Sequence, residues 1–268
     1  MECCSSCGLP STNGWAATFA RGSGGLGSIL FRPASSLQGL SFNFAPLDEL
    51  IGRLELGSLA CFTGAHAEAA AELLSVRAQL PRQDGGLASK VIFIDGGNCS
   101  NLYLFSSYAR QHGIKPDRAL RNVMTSRAFT IYQLASLISK ELPKVVSEYD
   151  SRFVVVSDLF SMFGDPQLRI DEAQRIIEGM VEHLRNLCDL DALVLVTMKA
   201  VTKFDRALTD AADVFLDLEA ERSTVRGTLL KHPSRKAASA CFRPQDFFSV
   251  GLRNGNDTIW VEQSLRSG

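Results

Sequence analysis

The sequence predicts an α/β fold: a mostly parallel central sheet with helices on both faces and an antiparallel hairpin at one edge. Three observations carry this. Short apolar runs of strand length recur along the chain and alternate with segments of helical periodicity. The central runs end at Gly or Asp, residues that turn a strand into a loop. Late in the chain, Val214–Leu218 and Thr224–Lys231 are separated only by Glu219-Ala220-Glu221-Arg222-Ser223, which reads as a hairpin. The composition is compatible with this. With 268 residues, 46% hydrophobic and 21% charged, the chain can bury a substantial core and is neither disordered nor collagen-like.

The elements follow in order. Residues 1–40 are rich in Ser and Gly and hold no period. They are read as an irregular lead-in with a short strand at Ser28–Phe31, and 41–268 as the core domain. Pro46–Ile51 reads as a short helix and Ser58–Thr63 as a buried strand. Gly64 breaks that strand before the Ala- and Leu-rich helix Ala65–Gln79. Lys90–Asp95 is a second strand, Leu102–Gln111 a helix and Val123–Thr125 a third strand. Thr130 fits an N-cap with Gln133 as its capping-box partner, and Pro143 is expected to kink or end that helix. Phe153–Ser157 is again a buried strand. Asp165-Pro166 then suits the start of a helix whose stripe runs Ala173, Ile176, Ile177, Met180, Val181, Leu184, Leu187. Ala192–Thr197 completes the parallel set.

Charge and cysteine usage exclude some functions. With 28 Lys and Arg against 29 Asp and Glu, the chain is neither a uniformly basic nucleic-acid coat nor acid-tailed. No apolar run approaches the ~20 residues of a membrane span, so no membrane partner is expected. The first residues lack the basic and apolar regions of a secretory signal, so a cytoplasmic location is expected. Cys3, Cys4 and Cys7 contain one C-x-x-C without a second pair, short of a zinc set, and no metal is expected. Cys61, Cys99, Cys188 and Cys241 are scattered and form no disulfide framework.

In open α/β sheets, ligands sit beyond the carboxyl ends of the strands. Three features fall there: the Gly64 turn, Asp95-Gly96-Gly97 and Asp158. A strand–Gly–helix turn is where a phosphate loop, G-x-x-x-x-G-K-[ST], would lie. The segment here is Gly64-Ala65-His66-Ala67-Glu68-Ala69-Ala70-Ala71. Ala69 takes the second Gly position, Ala70 the Lys and Ala71 the Ser/Thr, and Glu68 adds a negative charge. The cation for the terminal phosphates and the hydroxyl for magnesium are both gone. Asp158 stands where a Walker B carboxylate would hold magnesium, and Asp95 ends the neighbouring strand. Taken singly, a strand-terminal Asp is better explained as the cap of a turn; the two together with the loop in its place favour a nucleotide-site remnant.

At this point the chain resembles a known family. From about Pro46 to Phe242 it is similar to the core domain of the RecA-like recombinases, the RecA-like P-loop NTPase fold. Archaeal RadA and its paralogues are the nearest pattern. The residues that carry the resemblance are Leu47–Ile51 through Gly57-Ser58-Leu59, Phe93–Asn98, Ser126-Arg127-Ala128-Phe129, Val154–Asp158, Leu195–Lys199 and Lys231-His232-Pro233-Ser234-Arg235. Against the family pattern, Gly97 stands at the catalytic glutamate and Met198-Lys199 replace the polar sensor pair. The resemblance therefore implies a vestigial nucleotide site (Gly64 to Ala71, Asp95, Gly97, Asp158) with no catalytic residue and no expected ATP or magnesium cofactor. It implies an accessory or scaffold protein in DNA recombination and repair, partnered by a recombinase or repair protein. DNA contact would fall on Arg169, Arg175, Arg235 and Lys236. Two alternatives stay open: an ATPase with a non-standard loop, borrowing Lys199 or Lys236, and a binding module for another small ligand.

Overall fold

A computed structural model describes residues 39–164, 168–199 and 204–248. The expected strand Ser28–Phe31, the Cys3/Cys4/Cys7 group and Asp165-Pro166 lie outside the described residues. In chain order the elements are β1 (Gly39–Leu40), α1 (Ala45–Ile51), β2 (Leu54–Glu55), β3 (Leu59–Thr63), α2 (Ala67–Arg77), β4 (Val91–Asp95), α3 (Leu102–Gln111), α4 (Pro116–Arg121) and β5 (Val123–Arg127). Then come α5 (Ile131–Ser136), α6 (Leu142–Tyr149), β6 (Phe153–Ser157), α7 (Ile170–Asp189), β7 (Leu193–Met198), α8 (Arg206–Ala211), β8 (Val214–Glu221), β9 (Thr224–Lys231), β10 (Ala238–Phe242) and α9 (Pro244–Phe248). Among the described residues, no helix is long and apolar enough to cross a membrane.

Eight strands form one sheet in the order β10-β9-β8-β3-β7-β6-β4-β5. From β8 to β5 the pairs are parallel, and β9 and β10 add antiparallel strands at one end. The central strands are buried on both faces, which is why they read as unbroken apolar runs. Alternate residues serve opposite cores. Phe62, Phe93, Val155 and Leu195 face α2 and α3, while Cys61, Ile94, Val156 and Val196 face α5, α6 and α7. The expected mostly parallel sheet with helices on both faces is thus present.

Several local expectations change. The late antiparallel edge is three strands. β10 had no signal because only Phe242 of its residues is buried. The hairpin turn is shorter than expected, two residues with Arg222 in the left-handed region. β1 lies within the stretch read as irregular and pairs with β2. Leu40 is fully buried, and this apolar anchor orders the segment. Pro143 does not end its helix. A π turn over Leu137–Glu141 precedes it, so Pro143 opens α6, where a missing N–H is tolerated. Thr130 does cap α5 by accepting from the Gln133 N–H at 3.2 Å, but the Gln133 side chain accepts from Phe129 N–H, one residue earlier than a capping box requires. A 3-10 turn at Ser161–Gly164 follows β6, and α7 starts at Ile170 with Arg169 in extended N-cap conformation. Its stripe is buried as its spacing demands, with Ile176 at the margin.

An aromatic cluster closes the antiparallel end. Phe44 meets Phe242 edge-on at 5.0 Å, and Phe247 packs on Phe42, Phe44 and Phe242. Phe242 and Phe247 are therefore core residues that pin β10 and α9 to α1.

Candidate functional site

The carboxyl ends of β3, β4, β6 and β7 converge on one place. The register aligns Asp95 with Ser157 and Thr63 with Met198, so the residues that follow these strands meet. At the exit of β3, Gly64 has φ +94°, and a Cβ there would lie 2.5 Å from the Leu218 carbonyl oxygen. Only glycine fits. His66 N–H donates to the same carbonyl at 3.2 Å, which ties the turn to β8. α2 then begins. Ala67, Ala70 and Ala71 are buried, Ala69 is half-buried and Ala65 is exposed.

Glu68, in the first turn of α2, points inward. Its carboxylate accepts hydrogen bonds from the hydroxyls of Ser157 at the end of β6 and Thr197 on β7. Burial pushes its pKa up, and the Asp158 charge pushes the same way. One turn on, Glu72 is 1% exposed. Its Oε1 accepts from the Asn101 N–H at 2.6 Å, while Oε2 has no partner. Burial raises its pKa to about 8, with the Glu68 and Asp95 charges adding to the effect. Such a carboxyl is largely protonated at neutral pH.

Asp95 is fully buried and caps the turn after β4. It accepts from Ser100 Oγ at 2.6 Å and Cys99 N–H at 3.0 Å, and pairs with Arg127 Nε at 3.4 Å. Asp158 stands in the left-handed region at φ +48°. Its N–H donates to Thr197 Oγ1 at 2.9 Å, and its carboxylate accepts from Lys199 Nζ at 2.7 Å. Gly97 packs directly on it: a Cβ at 97 would lie 2.4 Å from Asp158 Oδ2 and 2.6 Å from its Cβ. No side chain, and so no glutamate, fits at 97 while Asp158 keeps this place. Cys99 lies beside Ser157, and burial raises its thiol to about 12, so it is no nucleophile.

The structure thus brings Gly64 to Ala71, Asp95, Gly97 and Asp158 together. It adds Glu72, Ser157, Thr197 and Arg127, which sequence reasoning did not place in this network, and Lys199, which the ATPase alternative had named. Only the Glu68/Glu72 spacing hinted at it, since residues four apart share a helix face. The proposed DNA-contact residues are not brought together. Arg169 pairs with Asp171 at 3.1 Å and Arg175 donates to the Asp171 carbonyl at 3.3 Å, both at the exposed start of α7 on one face. Arg235 lies against α1 on the other face, where it donates to the Glu49 carbonyl and lies over Gly52. His232 Nε2 meets the Ile51 carbonyl at 3.1 Å, and Lys231 Nζ donates to the Thr209 and Asp210 carbonyls at 3.1 and 2.8 Å. These groups serve helix C-termini. Lys236 is exposed and makes no hydrogen bond among the described residues.

Comparison with known proteins places this geometry in a family. The Rad51 family model matches residues 46–238. The chain is similar to the DNA repair and recombination protein RadA of Aeropyrum pernix, 25% identical over 169 residues, which covers 59% of this chain and 52% of that protein. It is also similar to the RadA of Metallosphaera sedula, 29% identical over 138 residues, 49% of this chain and 42% of that protein. The chain therefore spans about half the length of the curated relatives it matches. With its parallel sheet, edge strands and matched core, the chain belongs to the Rad51 family.

Proposed function

We propose that this chain is a non-catalytic member of the Rad51 family. It acts as an accessory or scaffold protein in DNA recombination and repair, through a recombinase or repair-protein partner. The observation that carries the reading is the inward Glu68 carboxylate, held by Ser157 and Thr197 at the turn where a triphosphate would be cradled. A half-buried carboxylate there opposes a polyphosphate, and the helix N-terminus alone compensates little. The carboxylate best placed for magnesium, Asp158, is already neutralised by Lys199. The position after β4 that would carry a base is a glycine with no room for a side chain. ATP and magnesium are accordingly not cofactors in this reading. The relatives' names support the recombination and repair setting.

A second reading has one observation in its favour: Lys199 brings a cation to the site. As an ATPase, the chain would have to release that lysine from Asp158 to a phosphate. A phosphate-release assay with magnesium-ATP, with and without single-stranded DNA, separates the two. Absence of turnover in wild type and Asp158→Asn alike supports the accessory role. Turnover lost in Asp158→Asn overturns it.

A further inference from the structure

Nine residues along α2 from Glu68, about 13.5 Å at 1.5 Å per residue, lies a second polar site. It is a pocket of about 450 Å³ lined among others by Asn43, Arg53, Arg77, Gln83, Asp84 and His112. Arg77 is the unusual member. It is 1% exposed, and charged residues are seldom buried this deeply without an ion partner. Its Nε donates to the Ser41 carbonyl and its Nη2 to the Asp84 carbonyl at 2.9 Å. Both acceptors are neutral, and three of its five N–H donors remain. Among the described residues, no carboxylate lies within ion-pair distance of Arg77 or Arg53. Asp48, the nearest acid by influence, already accepts from Ser41 Oγ and from the Phe42 and Phe44 N–H groups at 2.9–3.0 Å.

The electrostatics agree. Burial lowers Arg77 to about 10; the Asp48 and Asp84 charges oppose the shift and the Arg53 charge adds to it. The guanidinium nevertheless stays cationic at neutral pH. His112 is held down to about 4 by burial and by Arg77. Two guanidiniums and a neutral imidazole thus face one polar space, with spare donors and no carboxylate at ion-pair distance. We propose that this pocket binds a small oxoanion, a carboxylate or phosphate group, with Arg77 as the fixed fork and Arg53 and His112 closing on it. Planar guanidinium forks match such anions bidentately, and a bound anion would supply the ion partner that Arg77 lacks. This site is independent of the Glu68 network and does not rest on the accessory role.

Arg77→Ala would remove two bonds that hold the fold, so the test uses Arg53→Ala and His112→Ala in the full chain. Inorganic phosphate and acetate are titrated separately at constant ionic strength. Melting temperature and the His112 ring resonances are followed. The expected result is a saturable rise in melting temperature and a saturable His112 shift with at least one anion. Arg53→Ala should weaken binding by about tenfold, as loss of one charge-assisted bond implies, and His112→Ala should weaken it less. A response to phosphate alone, or to acetate alone, assigns the source of the anion within the proposal. No saturable response to either, or binding unchanged in both variants, overturns it.

Discussion

The Lys199 ammonium lies 2.7 Å from the Asp158 carboxylate, a solvent-facing cation joined to an almost fully buried acid. Removing the cation strands a buried charge, but the lysine's exposure weakens the attraction. Lys199→Met should therefore lower stability by about 1 kcal/mol, between the exposed and buried extremes. Asp158→Asn in the same background should recover part of that. Urea denaturation of the two singles and the double measures the coupling.

Gly97 and Asp158 make a tighter test of the same site. The Asp158 atoms that a Cβ at 97 would meet include its own Cβ, which cannot swing away as a flexible tip could. Gly97→Ala should destabilise by about 1–3 kcal/mol, the range for overpacking. Equal stability to wild type in a urea titration would show that Asp158 has another resting place.

The buried acid on α2 gives the protein a pH signature. Glu72 has a folded-state pKa of about 8 against an ordinary 4.5, raised by burial. The folded protein therefore holds this proton more tightly than the unfolded chain. The group's contribution is fully present below about 4.5 and is lost as pH rises through about 8. Glu68 shifts in the same direction. Glu72→Gln keeps an oxygen for the Asn101 N–H and cannot ionise. Its stability relative to wild type should rise from pH 5 to pH 8, read as a widening gap in melting temperature.

The basic residues near β9 should separate by role. Arg235 holds the end of α1 through the Glu49 carbonyl. Arg235→Ala should lower stability by about 0.5–1 kcal/mol, as lost helix-end interactions do, and Lys236→Ala should leave it unchanged. Thermal melts of the two variants decide this.

What was legible in the sequence follows from how each residue is held. β3, β4, β6 and β7 were readable because burial on both faces demands unbroken apolar runs. β10 was not, because one buried Phe242 leaves no alternation to detect. At the site, strand-end geometry brought Gly64, Asp95 and Asp158 together as expected. The role of Glu68 was hidden: it reads as a charge repelling phosphate, whereas its partners Ser157 and Thr197 are 89 and 129 residues away. Arg235 was legible only as a basic residue, since the carbonyl it serves lies 186 residues earlier. Local spacing carries no trace of such pairings.

The central claim is that the carboxyl edge is filled by the protein's own Glu68, Asp158 and Lys199 rather than by nucleotide. Calorimetric titration of the full chain with magnesium-ATP tests it most directly. The account predicts no saturable heat up to millimolar nucleotide. Saturable binding at about micromolar affinity, roughly 8 kcal/mol of free energy, would contradict it.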